Sequence, residues 1–236
     1  MASEEVSLVK IDAYLEVGKK RTFAAAIDCP GWSRSGRDEG SALQALFEYG
    51  PRYERALRAA QVEFRAPTDA SAFVVVERLE GNATTDFGAP AIAPASDAMP
   101  VDGAELQRFQ MLLAAGWQAL DEAVRASAGK ELRKGPRGGG RELDEIVEHV
   151  HSAEVAYVRQ LGWQLKNEED PGQEPGRFRQ TVLDALAAAV HGELPAQGPR
   201  GGVHWTPRYF VRRTAWHVLD HAWEIEDRIK EHQENQ

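Results

Sequence analysis

The chain has 236 residues and a formal net charge of −9, from 37 acidic and 28 basic side chains. Apolar residues make up 42% and charged residues 28%, which is typical of globular proteins and argues against disorder as the main state. The acidic balance disfavours a nucleic-acid-binding surface, because phosphates are held by clustered positive charge. A single cysteine, Cys29, excludes an intrachain disulfide and a cysteine-rich zinc site.

The sequence also indicates where the protein acts. The N-terminus has no apolar core of signal-peptide length, and no apolar run approaches the roughly 20 residues needed to cross a bilayer. The single cysteine fits a reducing compartment. We therefore expect a cytoplasmic protein without a membrane partner.

Residues 6–80 predict a small α+β domain that begins with a hairpin. Apolar and polar residues alternate over 11–17, which is the pattern of a half-buried strand. A turn over 18–20 follows, and the alternation resumes over 23–27 as the second strand.

A helix and a third strand complete the predicted domain. Helical spacing starts at Ser41, and a second helical stretch can begin at Pro51, because proline fits the first turn of a helix. The β-branched run over 72–79 predicts a well-buried strand. The predicted order is strand, strand, helix, strand.

The remainder of the chain predicts a linker and a four-helix bundle. Residues 81–101 are rich in Gly, Ala and Pro and show no periodicity, which indicates a linker. Only helical patterns follow over 102–232, and four amphipathic helices with polar connections form a bundle. The first predicted helix starts after Asp102, and the second covers about 142–166. The third covers about 177–192, and the fourth starts at Thr206-Pro207.

Two histidines on the fourth helix are candidate metal ligands. His217 and His221 lie one helical turn apart, so their imidazoles point to the same side and can share an ion. They lie between two apolar stripes, which predicts a partly buried sector where ionisable groups need a partner or a metal. The competing interpretation is a hydrated polar stripe. Val218 stands where zinc proteases have their glutamate base, so proteolysis is disfavoured.

A catalytic metal site of this kind needs a third protein ligand. His149 and His151 on the second helix are the candidates. They are two residues apart and point in nearly opposite directions, so only one can face the site. Periodicity does not choose between them. Glu154 lies close to the centre of the apolar face of the same helix.

Two segments resemble the DinB/YfiT-like family of metalloenzymes over about residues 102–232. The stretch from Leu143 to Tyr157 (LDEIVEHVHSAEVAY) resembles the second helix of that family, and the stretch from Arg212 to Arg228 (RRTAWHVLDHAWEIEDR) resembles its His-x-x-x-His helix. By this resemblance His149, His217 and His221 correspond to the metal-binding histidines. Glu154 corresponds to an acidic position, and His151 has no counterpart.

The resemblance implies a four-helix bundle, in up-down-down-up order, that holds a divalent ion such as zinc or nickel. Characterised branches of the family include thiol-dependent transferases and isomerases that act with low-molecular-weight thiols. The residues that would carry the reaction itself stay unknown, although Arg213, Glu224 or Arg228 could orient a substrate or the ligating imidazoles.

The N-terminal part resembles HicB-type antitoxin domains. The resemblance rests on the stretch from Phe23 to Trp32 (FAAAIDCPGW), followed by a helix that starts near Gly40 (GSAL). Such domains hold a small strand–strand–helix–strand unit that contacts a protein partner. The simpler interpretation, a small domain that packs against the bundle, is favoured.

Two similar loops precede the histidine-bearing helices. Gly135 to Gly139 and Gly198 to Gly202 both read GPRGG. Glycine-rich backbone with an arginine near a helix N-terminus can bind an anion, whereas the simpler interpretation is two flexible turns.

Two functions follow from these patterns. The first is a divalent-metal-dependent enzyme, a thiol-dependent transferase or hydrolase that acts on a small molecule, with zinc or nickel and a low-molecular-weight thiol as cofactors. The second is a non-catalytic metal-binding protein whose N-terminal domain recruits a protein partner. A homodimer is one option for the assembly.

Overall fold

The computed structural model describes residues 10–134, 140–165 and 175–229. The chain forms two compact units, of which the first reaches to Ala98 and the second begins at Met99. The fold is mixed α+β, with a four-stranded sheet followed by helices. No helix among the described residues has the length and apolar character that a membrane span requires. The predicted loop 135–139, most of the connection 167–176 and the outer ends of the predicted domains (6–9 and 230–232) lie outside the described residues.

The first unit is built on a sheet with strand order β3-β2-β1-β4. The predicted hairpin is confirmed, since β1 pairs antiparallel with β2 from Ala13 opposite Ala26 to Val17 opposite Thr22. A strand that the sequence analysis missed, β3, pairs antiparallel with β2, and β4 lies parallel to β1 on the other side. The strands are β1 (Ile11–Val17), β2 (Thr22–Ala26), β3 (Ser33–Gly36) and β4 (Phe73–Glu80).

Helix α1 (Glu39–Ala59) differs from the prediction at its start and in its middle. Asp38 caps it, because the Asp38 carboxylate accepts a hydrogen bond from the backbone N–H of Ser41 at 2.8 Å. Ser41, predicted as the start, is therefore the third residue of the helix. The helix also continues through Pro51, so no second helix begins there.

The predicted linker over 81–101 is wrong for most of its length. Residues up to Ala98 belong to the first unit, and they include helix α2 (Ala83–Phe87). The buried carboxylate of Glu16 on β1 accepts hydrogen bonds from the backbone N–H groups of Ala91 and Ile92, at 2.9 and 3.1 Å. This segment therefore covers the sheet face that the alternation on β1 had marked as polar.

The prediction of a well-buried strand over 72–79 is also wrong in its burial. Strand β4 lies at the edge of the sheet, and Val76 on it is 53% exposed. The β-branched residues predicted the strand itself correctly, because they favour extended backbone both in central strands and in edge strands of a sheet.

The described residues of the second unit form four long helices, and the starts of the first and the fourth follow their capping signals. Asp102 accepts a hydrogen bond from the N–H of Glu105 at 2.8 Å, and Thr206 caps the last helix. The second of the four ends at Gln160, earlier than predicted. The helices are α3 (Gly103–Ala126), α4 (Leu143–Gln160), α5 (Pro175–Val190) and α6 (Pro207–Arg228).

Contacts at the helix ends fix the directions of α3 and α6. Arg208, at the start of α6, forms an ion pair with Glu105 at the start of α3, with 2.6 Å between Nη2 and Oε2. At the opposite end, the N–H of Arg133, a few residues after α3, donates to the carbonyl of Arg228, the last residue of α6. Helices α3 and α6 therefore run in the same direction.

Helices α4 and α5 run opposite to that pair. The N–H of Trp205, just before α6, donates to the carbonyl of Gln160 at the end of α4. Arg179, in the first turns of α5, forms an ion pair with Asp121 near the end of α3 at 2.7 Å. The four helices are thus ordered up, down, down, up.

Candidate metal centre

Helix α6 places His217 and His221 on one face, one turn apart. Their ring centroids are 4.6 Å apart, and the two side chains are 6% and 8% exposed. The predicted partly buried sector is confirmed, because apolar residues of α6 are buried on both sides of these histidines. The alternative of a hydrated polar stripe does not fit this burial.

His149 of α4 joins this pair. The Nε2 atoms of His149 and His217 are 3.3 Å apart, and the ring centroids of His149 and His221 are 5.0 Å apart. One ligand atom from each of the three residues lies within 4.8 Å of the others, which is close enough to bind one metal ion. His151 points elsewhere, since its ring lies edge-on against Phe178 of α5 at a centroid distance of 4.8 Å.

The spacing matches the stereochemistry of a common metal. Zinc holds imidazole nitrogens at about 2.0–2.1 Å in tetrahedral geometry, which separates two ligand atoms by roughly 3.3–3.4 Å. The distance of 3.3 Å between the two Nε2 atoms equals this value. The pair His149–His217 thus has the ligand separation of a tetrahedral ion, and the ligand atoms of all three histidines lie within 4.8 Å of one another.

The surroundings favour the neutral form of His149 and His217, the form that metal binding requires. Burial lowers the pKa of His149 and, aided by the charges of the neighbouring histidines, places the pKa of His217 well below its usual range. At neutral pH both rings therefore offer a free nitrogen lone pair.

Glu224 orients the His221 ring by contacting its Nδ1 atom. Its Oε2 lies 2.7 Å from Nδ1 of His221, which leaves Nε2 of that ring directed toward the cluster. Arg228 donates from Nη1 to the other oxygen of Glu224 at 2.7 Å. The Arg228 guanidinium is held in turn by the backbone carbonyls of Arg133 and Arg141, at 2.9 and 2.8 Å.

Glu224 and Arg228 were predicted as candidate orienting residues, but the groups that support them were not predicted. The carbonyls of Arg133 and Arg141 give no sequence signal, because any residue type carries a carbonyl. Tyr157 was also missed as a neighbour of the cluster, and its ring lies 5.8 Å from that of His217. Its position eight residues after His149, slightly more than two turns along α4, is only a weak signal.

Glu154 lies away from the cluster; the resemblance matched it to an acidic position five residues after the first histidine. It is 5% exposed, and its Oε1 accepts a hydrogen bond from Nε1 of Trp117 on α3 at 2.5 Å. Burial raises the pKa of Glu154 to about 7. This carboxyl belongs to the packing of α4 against α3.

The GPRGG loop that the structure describes, Gly198 to Gly202, forms a tight turn. The N–H of Gly198 donates to the carbonyl of Gly202, and the N–H of Gly201 donates to the carbonyl of Gly198, at 2.8 and 2.9 Å. Since the turn itself uses two of its amides, the geometry favours a structural turn over an anion-binding loop.

Comparisons with known proteins add no relative. No family model, no curated protein and no solved structure matches the chain.

Proposed function

We propose that the chain is a divalent-metal-dependent enzyme of the DinB-like type, in which His149, His217 and His221 hold the ion. The observation that carries this proposal is the convergence of three imidazoles from two helices at metal-binding distance, two of them buried. The up-down-down-up order of α3 to α6 supports it, because this is the order that the resemblance implies.

The donor set favours zinc or nickel. Imidazole nitrogens suit zinc, nickel, copper and iron, whereas magnesium and calcium prefer oxygen ligands. Among the described residues, no carboxylate oxygen lies close enough to join the three histidines as a ligand. A site of three imidazoles leaves the full positive charge of the ion available to an anionic fourth ligand.

When bound, a divalent ion at this site supplies a lowered pKa for a coordinated water or thiol, and so a nucleophile at neutral pH. The residues of the chain prepare for this chemistry. Glu224 fixes the tautomer of His221, and Arg228 fixes Glu224. We propose a low-molecular-weight thiol or water as the nucleophile and a small electrophilic molecule as the second substrate.

Metal analysis of the purified chain tests the ligand set. We expect His149→Ala, His217→Ala and His221→Ala each to lose the stoichiometric zinc or nickel of the unsubstituted protein. His151→Ala is the matched control, since it removes an imidazole of the same helix whose ring packs on Phe178, and it should keep the ion. Full metal content in the first three variants would contradict the proposal.

The second candidate is a non-catalytic metal-binding protein whose N-terminal unit recruits a partner. Strand β4 favours it, because an edge strand with an exposed residue such as Val76 can pair with a strand of another protein. Cobalt substitution separates the two candidates. An open site changes its ligand-field bands when low-molecular-weight thiols are added, and His217→Ala abolishes the change. Bands that ignore every thiol and anion would favour the second candidate.

A further inference from the structure

The side chain of Arg213 contains an unsatisfied polar atom. Nη1 of Arg213 is buried and has no hydrogen-bond partner within the part of the chain that the structure describes. Buried polar atoms are nearly always hydrogen-bonded, and a buried charged group without a partner is costly. The position therefore calls for a ligand that the described part of the chain does not provide.

Arg213 lies in line with the metal ligands. It precedes His217 by four residues, as His217 precedes His221, so the three follow one another along α6 at steps of about 6 Å. The guanidinium carbon lies 4.7 Å from the ring centroid of Trp216 and 5.6 Å from that of Tyr157. The ring of Tyr157 in turn contacts His217.

These aromatic contacts hold the guanidinium without neutralising it. Cation–π contacts fix the position of the positive charge and leave its N–H donors for another acceptor. Other arginines of this unit are committed to acidic partners, namely Arg179 to Asp121, Arg208 to Glu105 and Arg228 to Glu224. Arg228 also donates to two backbone carbonyls, so its function is structural.

We infer that Arg213 binds an anionic group of the substrate, and that the substrate is a small molecule that carries a carboxylate a few bonds away from the atom that reaches the metal. This inference rests on the proposed metal site. A guanidinium binds a carboxylate through two parallel hydrogen bonds, which selects the anion by geometry as well as by charge. The step of about 6 Å from His217 to Arg213 sets the size of the ligand.

Thiols that differ in charge test the inference. The cobalt-loaded protein is titrated with mercaptoacetate, which carries a carboxylate, and with mercaptoethanol, which is neutral, and binding is read from the ligand-field bands. We expect mercaptoacetate to bind at least about tenfold more tightly, because a charge-assisted hydrogen bond is stronger than a neutral one. Arg213→Gln should remove this preference and leave the affinity for mercaptoethanol within about twofold.

Arg200→Gln is the control for net charge, since Arg200 is exposed in the turn before α6, and it should keep the preference. A preference that survives in Arg213→Gln, or that is absent from the unsubstituted protein, would overturn the inference.

Metal content separates this inference from the proposed function. Arg213→Gln should keep its full metal content, because Arg213 is not a ligand. An unsubstituted protein that takes up no metal would overturn the proposed function instead. In that case the tryptophan fluorescence of the metal-free protein tests whether Arg213 binds a carboxylate. Mercaptoacetate should change the emission of Trp216, which contacts the guanidinium, and Arg213→Gln should abolish the change. Equal changes in both proteins would overturn the inference.

Discussion

At the scale of single residues, the carboxylate of Glu224 contacts His221 of the candidate metal centre and Arg228, which donates to the carbonyls of Arg133 and Arg141. The hydrogen bond from His221 and then that from Arg228 hold the pKa of Glu224 below its usual value. The carboxylate is therefore ionised at neutral pH and holds the His221 ring in place through the contact at Nδ1. Such second partners of a ligating histidine typically contribute tenfold to a hundredfold to metal affinity.

Replacing Glu224 with Gln should lower zinc affinity by roughly tenfold to a hundredfold, because the neutral amide no longer stabilises the His221 tautomer by charge. Competition with a chromophoric chelator at neutral pH measures the change. Glu122→Gln, whose carboxylate accepts from Gln118 on α3, is the control and should bind zinc normally. Equal zinc affinity in Glu224→Gln and the unsubstituted protein would show that Glu224 does not support the site.

Glu154 shows the opposite effect of burial on a carboxyl. Its pKa is raised from 4.5 to about 7, chiefly by desolvation, while the hydrogen bond from Trp117 opposes the shift. Between about pH 4.5 and about pH 7, the carboxyl group of Glu154 is deprotonated in the unfolded chain but still protonated in the folded chain. The free energy of unfolding therefore falls as pH rises through this window, by up to about 3 kcal/mol.

Glu154→Gln should remove this part of the pH dependence. The amide keeps an oxygen for the Trp117 N–H and has no charge to desolvate, so the free energy of unfolding should fall less between about pH 4.5 and about pH 7. Urea unfolding at several pH values measures the difference from the unsubstituted protein. Glu148→Gln, exposed on the same helix, should leave the pH dependence unchanged. Parallel pH profiles for Glu154→Gln and the unsubstituted protein would refute the shifted pKa.

At the scale of secondary-structure elements, β1 is buried on both faces. Tyr14 and Glu16, on the face that alternation marked as polar, are 1% and 0% exposed. The covering segment lacks regular structure near Ala91 and Ile92, so its amides depend on the Glu16 carboxylate. The hydroxyl of Thr85 donates to the same carboxylate.

Glu16→Ala should detach this segment from the sheet. It leaves two backbone N–H groups and one hydroxyl without their acceptor, at about 1–3 kcal/mol for each group that stays buried. Hydrogen exchange at the amides of Ala91 and Ile92 should therefore accelerate strongly. Glu80→Ala, an exposed carboxylate at the end of β4, is the control. Unchanged protection of the two amides would show that the segment is held by other contacts.

Local patterns predicted the elements whose signals lie within the element. The hairpin followed from alternation, and the starts of α3 and α6 followed from Asp102 and Thr206 as caps. The four-residue spacing of His217 and His221 was enough to place both at one site. Each of these depends on residues within a few positions of one another.

Features that depend on distant residues were not predictable in this way. Strand β3 has the sequence SRSG, which lacks apolar alternation. It forms because its backbone pairs with β2. The residues near Ala91 cover one face of the sheet because they bind the carboxylate of Glu16, which lies 75 positions earlier in the chain. The choice of His149 over His151 depends on how α4 rotates against α6, which periodicity left open and only the resemblance supplied.

At the scale of the molecule, the candidate metal centre joins α4 to α6 across 68 residues of sequence. A bound ion would therefore act as a cross-link between two helices that run in opposite directions. Because the three imidazoles converge only in the folded unit, the ion binds the folded chain in preference to the unfolded one. Metal binding then adds to the stability of the second unit by mass action.

Removal of the metal should lower the melting temperature of the second unit. An ion present at a hundredfold excess over its dissociation constant stabilises the folded state by about 2.7 kcal/mol, and a chelator removes this contribution. Tryptophan fluorescence follows the transition, because five of the six tryptophans lie in the second unit and only Trp32 lies in the first. His217→Ala should melt at the same temperature with zinc and with chelator, whereas His151→Ala should respond to zinc like the unsubstituted protein. If zinc shifted the transition of His217→Ala as much as that of the unsubstituted protein, the stabilising ion would have to bind elsewhere.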